Sequence, residues 1–139
     1  MKSKQSAGVV VFNDEQELLL QIRAFRDDTY PGHWDFSAAG GMKPHENHKE
    51  AALRELQEEL GIKNEIYYLT HISYTDKDVQ KQLFLYKTAH NGPFSIDKNE
   101  IERVEFFGKH KIQKMIDAKE KFHPEFLLIW EKQILFPSS

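Results

Sequence analysis

Three glutamates, Glu55, Glu58 and Glu59, stand at i, i+3 and i+4 in the segment RELQEELGI. On a helix that spacing projects their carboxylates from adjacent turns onto one patch. Like charges so placed repel by roughly a few tenths of a kcal/mol per pair. Arg54 offsets part of this, with Glu50 and Glu58 each one turn away. A hard divalent cation offsets more. Mg²⁺, or Mn²⁺ in its place, takes carboxylate oxygens and keeps waters that a phosphate substrate can share or replace. An isolated E-x-x-E-E is ordinarily a solvated acidic helix face, so the flanking residues must decide.

Those flanks specify the helix. Asn47 followed by Glu50 is a capping box that satisfies free amides of the first turn. Ala52, Leu53, Leu56 and Leu60 recur at spacings of three and four and predict a buried stripe, with the glutamates on the opposite side. Gly61 stands where a left-handed residue closes a helix.

The whole stretch reads Gly40, five residues, Glu46, seven residues, then Arg54-Glu55-Leu56-Gln57-Glu58-Glu59-Leu60-Gly61-Ile62. It resembles the Nudix box, G-x5-E-x7-R-E-U-x-E-E-x-G-U with U a bulky aliphatic, at every defined position. From average residue frequencies, a chance match has odds on the order of one in ten million.

Length and composition set outer bounds. The 139 residues predict one domain, 1–139, with 40% hydrophobic and 29% charged residues and a net charge of −3. No long basic run points to a nucleic-acid polymer or an anionic membrane. Cysteine is absent, which excludes disulfides and thiol chemistry and fits a cytoplasmic location. The apolar run near the N-terminus is too short for a signal peptide, and no stretch approaches the ~20 apolar residues of a membrane span.

Strands are expected over 8–12 and 17–23, joined as a hairpin by Asn13-Asp14, then a loop over 24–33 and an extended segment over 34–39. After the box helix, 65–74 and 80–88 read as a strand pair, and Asn91-Gly92-Pro93 breaks the chain. A strand over 100–107 precedes a helix over 109–118 with Ile112, Met115 and Ile116 inward. His123-Pro124 starts a last helix burying Phe126, Leu127, Trp130 and Ile134. Mixed strands and helices suggest a sheet covered on two sides. The resemblance implies an α/β/α sandwich with a mixed β-sheet.

The resemblance further implies a hydrolase that cuts the P–O–P anhydride of a nucleoside diphosphate linked to another group, or of a related diphosphate, with divalent metal. Carried over by position, Glu58 and Glu59 are metal ligands, Glu55 a further ligand or the base, and Arg54 their orienting partner. Glu46 holds the loop against Arg54, and the Gly40 carbonyl reaches toward the metal. Glu100, where the family brings in an "E-aliphatic" strand entry, is a candidate catalytic group from outside the box, with Glu102 the fallback. Arg23, Arg26 and Lys43 are candidates to meet phosphates, and Trp34, Phe36, Tyr74, Phe84 and Tyr86 to stack on a base. Core packing competes for every one of those aromatics. His45 and His48 lack a third ligand of zinc spacing and read as loop histidines. The partner is then a small nucleotide or diphosphate, and a homodimer stays open.

Two other classes compete. The entry segment LLLQIRAFRDDTYPGHWDFSAAGG is similar to that of the isopentenyl-diphosphate isomerases, which move a proton with a cysteine beside the box glycine. Ser37, Ala38 and Ala39 occupy that neighbourhood here, so the isomerase reading is disfavoured. A non-catalytic nucleotide- or metal-binding module is the third reading, against which stand the box glutamates, all present.

Overall fold

The computed structural model describes residues 2–137; Met1, Ser138 and Ser139 lie outside it. Strand β1 (Lys2–Phe12) is the centre of a mixed seven-stranded sheet. It runs parallel to β6 (Val79–Ala89) along its full length, from Lys2↔Val79 to Phe12↔Ala89. Beyond β6, β5 (Tyr67–Asp76) closes that side antiparallel. On the other edge, β1 pairs with β4 (Ala38–Gly41) over Ser6–Val9 and meets β2 (Leu18–Arg23) at Phe12↔Leu18. Strand β2 also pairs with β3 (Trp34–Asp35) and β7 (Ile101–Phe107). Helices α1 (His48–Leu60), α2 (Lys109–Asp117) and α3 (Pro124–Glu131) complete the chain.

Apolar residues run continuously through the central strands because both sheet faces are covered. Val9, Val11 and Leu19 face the α1 side with Ala52, Leu56 and Leu60. Val10, Leu18 and Leu20 face the α2 and α3 side with Phe36, Ile112, Phe126 and Trp130. The chain is therefore an α/β/α sandwich.

The expected hairpin is one only at its turn, because β1 and β2 diverge beyond Phe12. Ser37 bridges the gap. Its hydroxyl donates to the Leu19 carbonyl at 2.6 Å and accepts from the Val11 N–H at 2.9 Å, replacing a ladder bond. Strand β1 also starts earlier than its apolar run, since pairing with β6 orders the polar residues from Lys2 onward. The last helix ends at Glu131, so Ile134 packs from the segment beyond it.

Candidate active site

Helix α1 opens with the capping box, Asn47 Oδ1 accepting from the Glu50 N–H at 2.8 Å and Glu50 Oε1 from the Asn47 N–H at 3.0 Å. It closes on Gly61 at φ 71°. Its buried stripe is Ala51, Ala52, Glu55, Leu56, Glu59 and Leu60, whereas Leu53 is 36% exposed. Glu55 and Glu59 are thus not opposite the apolar stripe. They flank it at 8% and 5% exposure, while Glu58 stays in solvent.

Arg54 holds this corner together. All five guanidinium N–H groups find acceptors. Nε and Nη2 fork onto Glu46 at 2.5 and 2.9 Å, and Nη2 also reaches the Gly41 carbonyl at 3.0 Å. Nη1 meets Glu55 at 2.7 Å and Glu58 at 3.2 Å. Glu50 is committed to the cap and takes no part. The fork pushes the Glu46 carboxyl down to about 2 and raises Arg54 above its ordinary value.

Gly40 is the one position on β4 that tolerates no side chain. A Cβ there would lie 2.5 Å from Glu55 Cδ, so the strand backbone and the carboxylate approach as only glycine permits. Glu59 is fixed from β2, where Gln21 Nε2 donates to its Oε1 at 2.8 Å and to the Ser37 carbonyl at 3.0 Å. Burial, and then a hydrogen bond with Glu55, raises Glu59 well above the usual carboxylate range.

A second acidic pair arrives from the far side. The Ser95 and Asp97 amides donate to the Leu60 and Glu59 carbonyls at 3.0 and 3.1 Å, docking this segment on the open end of α1. Asp97 and Glu100 then line a cleft of about 230 Å³ with Ala39, Gly40, Gly41, Glu55, Glu58 and Glu59. Glu100 sits in the turn before β7, one residue short of the strand. Burial raises its pKa first, and Asp97, Asp27 and Glu55 add to the effect.

Among the described residues, no three acidic or histidine side chains converge as a closed metal site would. The donors nevertheless fit one class of ion. They are all oxygens, as hard cations require, and Mg²⁺ fills its remaining positions with water instead of a full protein cage.

A neighbouring cleft of about 270 Å³ shares the Ala39–Gly41 wall and is lined by Lys4, Arg23, Asp35, Lys81, His123 and Glu125 among others. Arg23 reaches it with most donors committed, to the Thr29 carbonyl, Thr29 Oγ1, Asp27 and Asp35, each at 3.0 Å. Trp34 and Phe36 do not reach either cleft, which corrects their expected role in substrate contact. Phe36 is fully buried against Phe126, and Trp34 is 6% exposed, packed on Phe107 and covered by Arg103. Phe84 is stacked between His48 and His71, and Tyr86 is bound to His48. Tyr74, by contrast, lines a cavity with Tyr30, His123 and Pro124.

Sequence reasoning passed over Gln21, Asp35, Asp97 and Glu125. A lone amide in LLLQIR carried a signal, since an interior strand with one polar residue must pair it. The other three acids became visible only when distant segments met.

Among the described residues, no helix is long and apolar enough to cross a membrane. The NUDIX domain family model matches residues 2–128. An uncharacterised Nudix hydrolase of Listeria monocytogenes is 31% identical over 122 residues, spanning 86% of this chain and 72% of that protein. The fold is similar to that of a MutT protein from Methanosarcina mazei, with a TM-score of 0.82 at 21% identity over 94% of this chain and 92% of that one. It is also similar to the NUDIX domain of Shewanella oneidensis NrtR, solved with ADP ribose, with a TM-score of 0.74 at 16% identity over 96% and 87%. Sequence likeness over most of both chains, and a family match from the first described strand into α3, make this chain a member of the Nudix family.

Proposed function

We propose that the chain, as one domain, is a Mg²⁺-dependent pyrophosphohydrolase acting on a nucleoside diphosphate linked to another moiety or on a related diphosphate. The observation that carries this is the acidic cleft, lined together by the box carboxylates Glu55, Glu58 and Glu59, by Gly40, and by Asp97 and Glu100. Glu58, Glu59 and the Gly40 carbonyl are the groups to hold the cation, with Glu55 beside them. A bound cation supplies neutralisation of the anhydride oxygens and acidifies water. The chain's own part is placement. Arg54 fixes Glu55 at 2.7 Å, Gln21 fixes Glu59, and the exposed Glu58 is tethered to Arg54 by a longer bond of 3.2 Å. Glu100, raised from its ordinary value chiefly by burial, is suited to take a proton from the attacking water at its carboxylate. The isomerase reading loses its proton carrier, because Ser37 is fully buried with its hydroxyl committed on both sides.

The test is hydrolysis of a diphosphate panel with Mg²⁺ or Mn²⁺. Glu58→Gln and Glu59→Gln should each lower kcat by about two decades or more with the fold retained. Undiminished hydrolysis in EDTA, or in either variant, overturns the reading. Glu100→Gln should remove the acidic limb of the pH–rate profile; a wild-type profile there moves the base to Glu55.

A further inference from the structure

Strands at the margin of a sheet present outward N–H and C=O groups without partners, and they are ordinarily covered or charged. At the β3 margin the segment between α2 and α3 provides cover. The Trp34 N–H donates to the Lys121 carbonyl and the His123 N–H to the Trp34 carbonyl, both at 2.8 Å. Strand β7 is charged instead, with Glu102, Arg103 and Glu105 exposed along it. Strand β5 has neither protection. It pairs only with β6, and among the described residues no backbone hydrogen bond beyond that ladder involves Tyr67–Asp76. From Tyr67 to Thr75 it contains no Lys, Arg, Asp, Glu or Pro. Asp76 is neutralised within the chain by Lys81 at 3.2 Å. The ladder shifts register between Tyr68 and Thr70, which leaves residues 70–76 as the regular stretch.

Apolar surface gathers at the same margin. Of the five large apolar side chains exposed among the described residues, three border β5. Tyr67 and Tyr68 stand at its start, 58% and 55% exposed. Leu128, on α3, lines a cavity of about 440 Å³ with Tyr74, Thr75 and Asp76.

An added strand is what satisfies a row of unpaired backbone groups. The chain has a net charge of −3, so two copies repel unless they meet through a neutral surface, and residues 67–75 are such a surface. Antiparallel pairing of β5 with a copy of itself is two-fold symmetric and consumes both margins, so it closes at two subunits. With the axis at Ser73, residues 70–76 pair along their whole length. His71 then faces Thr75 of the copy, Ile72 faces Tyr74, and Thr70 faces Asp76. An aromatic ring opposite a β-branched side chain is a favourable cross-strand pair, and no like charges meet.

We propose that β5 is a dimerisation edge, on which a second copy of this chain adds its own β5 antiparallel about Ser73 to make one sheet across two subunits. The proposal is independent of the hydrolase reading, because the acidic cleft is built on β4, across β1 from β5 and β6. One strand pair with a few flanking side chains lies at the small end of specific interfaces, so the dimer should be reversible and half formed at roughly 10–100 µM.

Sedimentation velocity from about 1 to 500 µM should show wild type passing from monomer to dimer. Ser73 is exposed, and Ser73→Lys sets two ammonium groups against each other on the axis. It should raise the dimer dissociation constant at least about tenfold, with thermal denaturation showing the fold retained. Because the chain has no cysteine, a single substitution gives a single thiol. Opposed residues of antiparallel strands have Cα atoms about 4.5–5.5 Å apart, within the span of a disulfide. Ser73→Cys, nearly isosteric, should therefore form a covalent dimer with diamide as oxidant, and Glu102→Cys on β7 should not. A monomer throughout the concentration range, or a dimer that folded Ser73→Lys leaves intact, overturns the proposal. So does oxidation that leaves Ser73→Cys monomeric or cross-links Glu102→Cys as readily, and this arm decides alone if Ser73→Lys does not fold.

Discussion

Replacing Gly40 with alanine should cripple the reaction while sparing the fold. The new Cβ would sit 2.5 Å from Glu55 Cδ and Oε1 and 2.6 Å from Oε2, where ordinary contact begins at 3.4 Å. The carboxylate must therefore withdraw by about 1 Å, a displacement that typically costs on the order of a hundredfold in rate. Withdrawal also stretches the 2.7 Å bond to Arg54. Stability should fall by only about 1–2 kcal/mol, because the obstacle is the movable end of a side chain. No left-handed backbone angle adds strain at this position. Gly41→Ala is the matched control, since a Cβ there meets nothing within 4 Å. Measured by phosphate release with Mg²⁺ and by thermal denaturation, Gly40→Ala should lose about two decades in kcat/KM and Gly41→Ala less than about twofold. Wild-type activity in Gly40→Ala, or equal losses in both, would refute the close approach as the reason for the glycine.

Three further outcomes follow from the same geometry. Gln21→Leu removes the amide that holds Glu59, and Mn²⁺ affinity read by electron paramagnetic resonance should weaken about ten- to hundredfold. Arg54→Lys keeps the charge but cannot fork onto Glu46 while reaching Glu55, Glu58 and the Gly41 carbonyl, so stability should drop by about 1–3 kcal/mol with kcat falling too. Burial lowers His123 from 6.5 to about 4, so the folded protein binds fewer protons than the unfolded chain between those values. Stability from this group is complete above pH 6.5 and is lost as pH falls through 4. After discounting for partial exposure the loss is about 2 kcal/mol. Denaturant unfolding of His123→Asn, which keeps an N-cap, should lack that increment.

The box helix is legible in the sequence because each of its parts is local. A capping box, a stripe of spacing three and four, and a closing glycine act within one helix, and so does the projection of Glu55 and Glu58 toward Arg54. Composition alone excluded thiol chemistry. Tertiary structure decided whatever depends on segments far apart in the chain. Glu55 and Glu59 read as a solvent-facing patch because their charge outweighs their spacing from Ala51, yet both are buried, Glu55 against Gly40 of β4 and Glu59 against Gln21 of β2. Trp34 and Phe36 had the right chemistry for a base, but alternation on a two-sided sheet turned both rings into the core under α2 and α3. The hairpin of β1 and β2 opened because Ser37, 18 residues from Leu19 and 26 from Val11, supplied the competing hydrogen bonds. Glu100 owes its place to the amides of Ser95 and Asp97 seeking the free carbonyls at the end of α1, and Glu125 meets Tyr74 only because α3 packs across β5. Local periodicity determines what a helix or strand presents. Which neighbour receives it is set by burial and by the pairing of backbone polar groups across the whole chain.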